Sequence, residues 1–303
     1  MRKNDFPKIE RLPLRARGTA NNHRFGWPDV VIFIILFLYV LAVVFPFYNA
    51  FVVSISSETA YMGSDLLLWP KDITFEAYEA VFTSKAMWNG LGITMILLVF
   101  GTAYQLFFTV ITGYAMSRDK WFGKNFVMNM ILVTMFFGGG LVPYYFLIKS
   151  LGLYNTIWVM IIPGAIDTFN MLLMRNYFAS LPRELEESAK IDGANDIQIF
   201  LKVYLPLSLP MLATVGLFFA VGNWNSWYNG MLFIENGSLK PLQLVLREMI
   251  ATISSSTESP SSTTYSENLI MASIFFTIVP MMCFYPFLQR FFVKGIVVGA
   301  IKG

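Results

Sequence analysis

The sequence predicts an all-α, polytopic membrane protein with six transmembrane helices and with both termini in the cytoplasm. Of its 303 residues, 56% are hydrophobic and 14% are charged, whereas soluble domains contain about 25% charged residues. A transmembrane helix needs about 20 predominantly apolar residues. Six windows satisfy this requirement, namely residues 30–54, 88–116, 126–148, 154–175, 207–234 and 269–292.

The distribution of Lys and Arg predicts the orientation of these windows. Residues 1–28 form a basic tail that contains seven Lys and Arg residues. Further basic residues lie between the second and third windows, in the segment 180–206 and near the C terminus. Cytoplasmic loops carry the excess of Lys and Arg in membrane proteins. We therefore expect these segments to be cytoplasmic, and the segments 54–85 and 235–268 to be extracytoplasmic.

Several functional classes are disfavoured by what the sequence lacks. The only cysteine is Cys283 and the only histidine is His23, which excludes an intrachain disulfide, a zinc cluster and a histidine-based catalytic triad. No metal site and no catalytic residue is predicted. The phosphate-binding pattern G-x-x-x-x-G-K-[ST] is absent as well, and topology explains the net charge of +3. If the protein uses ATP, a separate chain must hydrolyse it.

The cytoplasmic segment between the fourth and fifth windows is much longer than a turn requires. Its first residues include three glutamates, which favour the positive end of a helix dipole, and Glu186 precedes Lys190 by one helical turn. Gly193 follows at a position where a left-handed residue would end that helix. Asn195 and Gln198 have the spacing of a capping box. The pattern predicts a helix, a glycine elbow and a second helix.

The second of these helices carries a regular apolar pattern. Ile197, Phe200, Leu201 and Tyr204 recur at the spacing of one helical face. The pattern predicts that this helix has one apolar face.

This segment resembles the EAA loop of permease subunits in binding-protein-dependent ABC importers. The resemblance rests on Glu187-Ser188-Ala189, on Asp192-Gly193-Ala194 and on Leu205-Pro206; Ser188 stands where the family usually has alanine. The segments 113–118 and 295–303 are similar to those of the carbohydrate branch, the maltose-type and lipo-oligosaccharide-type permeases. The resemblance covers nearly the whole chain.

The resemblance implies a type I ABC importer permease fold for residues 29–303 and a location in a bacterial-type inner membrane. In this family the EAA loop sits in a cleft of a separate ATPase, which binds ATP and Mg, so no cofactor is expected on this chain. The implied partners are a second homologous permease, a dimeric ABC ATPase and an extracytoplasmic solute-binding protein. The implied substrate is a carbohydrate, specifically an oligosaccharide.

The resemblance also implies roles for individual residues. Glu187 would pair with a basic residue of the ATPase, and Gly193 would permit the elbow. Ile197, Phe200 and Leu201 would anchor the second helix against the membrane core. The full set of ATPase-coupling candidates is Glu187, Ser188, Ala189, Asp192, Gly193, Ala194, Ile197, Lys302 and Gly303.

A second group of candidates concerns the path of the substrate. Aromatic rings beside amide side chains suit the apolar faces and hydroxyl edges of sugars. The alternative is a structural role, in which amides join helices by hydrogen bonds and aromatic residues form an interfacial belt. Asp167 is expected to be buried near the middle of the fourth window, just after a helix break at Pro163-Gly164. It is either an acceptor for sugar hydroxyls or a partnered structural carboxylate. The path candidates are Asn223, Trp224, Asn225, Trp227, Tyr228, Asp167 and Asn170.

Three other features leave alternatives open. Gly138–Gly140 indicates either a hinge or close helix packing. Leu242 to Ile253 has the pattern of an amphipathic helix, and the serine-rich residues 254–262 form either a solvated loop or an arm that contacts a partner. For the function, the alternatives are an ABC permease for a non-sugar solute and an ion-driven secondary transporter. A membrane enzyme is disfavoured because catalytic groups are missing.

Overall fold

The computed structural model describes residues 26–57, 67–118, 121–256 and 266–300, and these residues fold mainly into helices. The chain divides into one unit up to Tyr48 and a second unit from Asn49 onward. The α-helices are α1 Trp27–Ser54, α2 Glu76–Thr83, α3 Lys85–Ile96, α4 Thr102–Ser117, α5 Lys124–Phe136, α6 Leu141–Ser150, α7 Trp158–Ile161, α8 Thr168–Ser180, α9 Glu184–Ile191, α10 Asp196–Ile199, α11 Leu205–Leu207, α12 Leu209–Trp224, α13 Tyr228–Phe233, α14 Leu242–Ser256 and α15 Glu267–Ala300.

Helix α1 is apolar and its side chains from Val30 to Phe47 are largely exposed. A helix that is hydrophobic on all sides requires an apolar surrounding. Within the described residues, two helical stretches are long and apolar enough to cross a membrane, and up to four are if each bent pair is one span. The number of six spans stays a prediction.

Helices α3 and α4 form one continuous rod of 33 residues, Lys85–Ser117, joined by a π-helical turn at Leu97–Gly101. Helix α4 packs closely on α8. A Cβ atom added at Gly113 would lie 2.9 Å from the Cβ atom of Met174 and 3.2 Å from the backbone nitrogen of Arg175. Because only glycine fits at this distance, Gly113 sets the separation of the two helices.

The third predicted span is sharply bent. Helices α5 and α6 meet at an angle of 116°, and Gly138–Gly140 lies between them. Nothing in the described chain lies within 4 Å of a Cβ atom added at any of these three glycines. The glycines therefore lie at a bend between α5 and α6 and are not sites of close helix packing within the described chain.

The fourth predicted span, 154–175, is also interrupted. Helix α7 has only four residues and continues into a short 3-10 turn at Ile162–Gly164, where Pro163 limits helix continuation. Helix α8 then begins at Thr168, with Asp167 as its N-cap. The interpretation of Asp167 as a buried mid-span residue is wrong, because Asp167 is exposed at a helix start.

Helices α12 to α15 complete the second unit. Helix α14 confirms the predicted amphipathic helix and extends it to Ser256. It lies against α3, where a Cβ atom at Gly90 would be 3.1 Å from Leu242 Cα. The backbone N–H of Leu242 donates to Thr94 Oγ1 at 2.9 Å. Residues 257–262 of the serine-rich stretch lie outside the described residues.

Candidate functional site

The segment 180–206 folds as the sequence predicts, into helix α9, a glycine elbow and helix α10. Gly193 has a φ of +81°, a left-handed conformation that glycine adopts without steric cost. Its N–H donates to the carbonyl of Lys190, and the N–H of Ala194 donates to that of Ala189, both at 3.0 Å. These bonds satisfy carbonyls that would otherwise be left open at the end of α9.

A capping box starts the helix after the elbow. The side chain of Asn195 accepts from Gln198 N at 2.9 Å, and the side chain of Gln198 accepts from Asn195 N at 3.0 Å. The reciprocal bonds fix the direction in which α10 leaves the elbow. The elbow is thus held by its own local hydrogen bonds.

The elbow presents both charged and apolar side chains at its surface. Glu187, Ser188 and Asp192 are exposed, whereas Ala189 and Ala194 are partly buried. Ile191, which the sequence analysis did not select, is 86% exposed. The elbow therefore exposes an apolar side chain beside charged ones.

The predicted apolar face of the second helix is wrong for two of its four residues. Ile197 is 69% and Leu201 is 52% exposed, so neither anchors the helix within this chain. Tyr204 is buried at 2% exposure and Phe200 is partly buried, as predicted, and Ile199, which the pattern did not select, is buried at 1%. The cause is a π-helical turn at Phe200–Tyr204, because i→i+5 bonding places residues five apart on one side.

A cationic side chain connects this segment to the end of α4. Arg118 forms an ion pair with Glu186, and its guanidinium carbon lies 4.8 Å and 4.4 Å from the ring centroids of Tyr114 and Tyr204. The hydroxyl of Tyr204 donates to the same carboxylate oxygen of Glu186 at 3.1 Å. Lys190 donates to the other oxygen at 2.7 Å. The predicted Glu186–Lys190 pair is therefore confirmed, within a larger cluster.

The electrostatics of Glu186 follow from these neighbours. Partial burial raises the pKa of Glu186, but the hydrogen bond from Lys190 and the charge of Arg118 together lower this pKa by more than burial raises it. The net result is a pKa below the ordinary value for glutamate. Glu186 is therefore ionised at neutral pH.

Five of the seven path candidates line two separate cavities. The first has a volume of about 410 Å³ and brings together Asp167, Asn170 and Asn223, which are distant in sequence. Asn223 is buried and donates to Thr102 Oγ1 at 3.1 Å and to Gln105 Oε1 at 2.8 Å. Gln105, Ser226 and Asn229 add further polar groups to this cavity.

One polar atom in the first cavity has no hydrogen-bond partner among the described residues. The side-chain oxygen of Asn170 is buried and makes no hydrogen bond to that part of the chain, while Asp167 Oδ1 accepts from the backbone N–H of Asn170 at 2.8 Å. Buried polar atoms normally have a partner. Asp167 therefore caps α8, and the open acceptor in this cavity belongs to Asn170.

The remaining path candidates face elsewhere. Trp224 and Asn225 line a second cavity of about 370 Å³, together with residues of α14 and α15. Trp227 lies beneath Arg247, whose guanidinium carbon is 3.8 Å from the ring centroid. Tyr228 is exposed and borders neither cavity. The predicted path residues therefore lie in several different surroundings.

Two coupling candidates, Lys302 and Gly303, lie outside the described residues. Among the residues that are described, no group of three His, Cys, Asp or Glu side chains is placed to hold a metal ion.

The sequence analysis missed the role of Arg118 in the Glu186 cluster and that of Gln105 in the first cavity. Arg118 lies in the segment 113–118 that carried part of the resemblance, but no local pattern links it to Glu186, 68 residues away.

Comparisons with known proteins identify the family to which this chain is similar. Residues 125–298 match the family described as "Binding-protein-dependent transport system inner membrane component". Protein LplC of Bacillus subtilis is 38% identical over 265 residues, which is 86% of this chain and 90% of LplC. The polygalacturonan/rhamnogalacturonan transport system permease protein YtcP of Bacillus subtilis is 34% identical, covering 91% of this chain and 98% of YtcP.

A solved structure is similar as well. The crystal structure of a bacterial ABC transporter involved in the import of the acidic polysaccharide alginate contains a chain that superposes with a TM-score of 0.80. The two chains are 32% identical, and the match covers 89% of this chain and 99% of the other.

Proposed function

Because the chain belongs to the inner membrane components of binding-protein-dependent transport systems, we propose that it is the permease subunit of an ATP-driven importer of oligosaccharides. ATP hydrolysis takes place on a separate ATPase, and an extracytoplasmic binding protein delivers the substrate. A second, homologous permease completes the translocation path. The proposal includes six spans with both termini in the cytoplasm.

The observation that carries the proposal is the geometry of the elbow. Gly193 and the capping box of Asn195 hold two short helices at a fixed angle, and the surface of the elbow is exposed. Glu187 and Ile191 offer a charge and an apolar side chain to a partner. A rigid elbow with these exposed side chains supports docking on another subunit.

The oligosaccharide as substrate is supported by the relatives. YtcP is named for polygalacturonan and rhamnogalacturonan transport, and arabinooligosaccharide and galactooligosaccharide permeases of the same type are 27% and 29% identical to this chain. The polar cavity around Asn170 and Asn223 fits this class, because hydroxyl groups can donate to an open amide oxygen. We propose that these two residues line the path.

The coupling role is tested by charge reversal at Glu187. In the assembled transporter, Glu187→Lys should reduce the amount of ATPase that co-purifies with the permease in detergent, since the predicted partner is a basic residue. Glu184→Lys, at another exposed glutamate of α9, is the matched control and should retain the ATPase. Equal retention in both variants, or transport in vesicles without ATP, would overturn the proposal.

The substrate is tested by uptake in vesicles that contain the permeases, the ATPase and the binding protein. A panel of neutral and uronic-acid oligosaccharides is compared with amino acids and peptides. We expect uptake of an oligosaccharide and reduced uptake by Asn170→Ala. Uptake restricted to an amino acid or a peptide would instead support the non-sugar alternative.

A further inference from the structure

Two adjacent glutamates of α9 face different surroundings. Glu187 is exposed, as a residue that meets the ATPase must be. Glu186 is turned toward the membrane domain, where both of its carboxylate oxygens are engaged. The helix therefore has an outer face toward a partner and an inner face toward its own chain.

The inner face of α9 is held by Arg118, the residue that directly follows α4. Helix α4 ends at Ser117, and Arg118 follows in an extended conformation, which directs the chain away from the helix axis. The carbonyl of Arg118 accepts from Lys124 Nζ at 2.6 Å, so the backbone at this point is tied to the start of α5. Its side chain is then available for Glu186.

The guanidinium of Arg118 lies against two aromatic rings. Tyr114 belongs to α4 and Tyr204 to the segment after the elbow, and both rings are within 5 Å of the guanidinium carbon. Arginine combines ion pairing with stacking on aromatic faces, which lysine does less well. The contacts of Arg118 with Tyr204 and Glu186 join the end of α4 to residues 180–206, the coupling segment, whereas the contact with Tyr114 holds the guanidinium against α4 itself.

We propose that Arg118 is a positioning residue that fixes the coupling segment to α4, so that movement of the elbow is transmitted to the transmembrane helices. This inference rests on the proposed function. Without the contact, α9 would be connected to the rest of the chain through its flanking backbone, the packing of Ala189 on the apolar cluster that includes Ile199, and the hydrogen bond from Tyr204 to Glu186. Part of the movement imposed by the ATPase would then be absorbed within the loop.

Helices α4 and α8, to which the movement would be passed, are packed closely enough to transmit it. The ring of Tyr114 lies 5.7 Å from that of Phe178 in α8 and 4.6 Å from that of Phe200. One residue earlier, Gly113 brings α4 and α8 into backbone contact. Well-packed interiors have low compressibility and pass strain on. Displacement of Glu186 is thus passed to α4 and α8 together.

The test compares import with ATP hydrolysis in the complete transporter, reconstituted with its binding protein. The variants are Arg118→Met, Arg118→Lys and the exchanged pair Arg118→Glu with Glu186→Arg. Lys202→Met, which removes an exposed charge from the same segment, is the matched control. The measured quantity is substrate imported per ATP hydrolysed, in complexes that contain equal amounts of ATPase.

We expect Arg118→Met to lower this ratio by about tenfold, a typical size for coupling between two sites. Arg118→Lys should lower it less, the exchanged pair should restore part of it, and the control should leave it unchanged. A residue needed only for folding would reduce the yield of complex without changing the ratio.

The ratio separates this inference from the proposed function. Loss of the ATPase from the complex in Glu187→Lys tests docking, whereas a changed ratio in an intact complex tests the positioning role of Arg118. An unchanged ratio in Arg118→Met would overturn the inference. Failure of all three Arg118 variants to assemble would assign the residue to folding and overturn it as well.

Discussion

The contact between α4 and α8 at Gly113 gives a prediction whose size follows from the structure. Carbon atoms pack favourably at about 3.5–4.0 Å, whereas a Cβ atom added at Gly113 would be 2.9 Å from Met174 Cβ. Because the Met174 Cβ is fixed to its backbone, rotation of the side chain cannot relieve the clash. The helices would have to separate by about 1 Å.

The expected cost is the balance of two effects. Overpacking of a buried contact costs about 1–3 kcal/mol, and the better helix propensity of alanine returns at most about 1 kcal/mol. Gly113→Ala should therefore destabilise the protein by up to about 2 kcal/mol. Thermal unfolding of the purified transporter in detergent measures this as a fall of a few degrees in the unfolding temperature.

A matched control lies in the same helical rod. Gly92 is exposed in α3, and nothing lies within 4 Å of a Cβ atom added there. Gly92→Ala should leave the unfolding temperature unchanged or raise it slightly. If Gly113→Ala is as stable as Gly92→Ala, the close contact between α4 and α8 is not what this account describes.

Three further predictions concern the elbow, the polar cavity and the ion pair. Gly193→Ala should strain the elbow by about 1–2 kcal/mol, because L-residues disfavour its left-handed conformation. This variant should reduce ATPase co-purification more than Gly193→Asn does. Equal losses in the two variants would point to a direct steric contact with the partner instead. Asn223→Ala should lower stability by about 0.6–2 kcal/mol and should be non-additive with Gln105→Ala in thermal unfolding, whereas additive effects would contradict the hydrogen bond between them. The pKa of Glu186 is lowered in the folded protein, so its contribution to stability is complete above the ordinary glutamate pKa of 4.5 and is lost as the pH falls through the lower folded value. The difference in unfolding temperature between the wild type and Glu186→Gln should therefore shrink in this acid range, and a difference that grows there would refute the assignment.

Local patterns predicted the elbow well because its geometry is determined by neighbouring residues. Gly193 and the Asn195–Gln198 capping box need no distant contact, and both are as the sequence indicates. The register of the following helix depends on the π-helical turn at Phe200–Tyr204. A calculation with 3.6 residues per turn cannot anticipate such a turn, and so Ile197 and Leu201 were assigned to the wrong face.

Windows of hydropathy also concealed interruptions within the predicted spans. Pro163-Gly164 indicated a break, but the apolar window around it led to Asp167 being placed inside a helix and not at the start of α8. The contact of Arg118 with Glu186 depends on tertiary structure alone. Likewise, the cavity unites Gln105, Asn170 and Asn223 from three different helices, which their separate positions in the sequence do not reveal.

The most direct test of the account is photo-crosslinking from the elbow in intact membranes. A photoreactive amino acid replaces Ile191, which is 86% exposed, or, as a control, Ile73, which is 64% exposed in the predicted extracytoplasmic segment 54–85. We expect the probe at position 191 to capture the ATPase subunit in a transport-competent complex, and the probe at position 73 to capture none. No capture from position 191, or capture from position 73, would contradict the claim that this segment couples the permease to the ATPase.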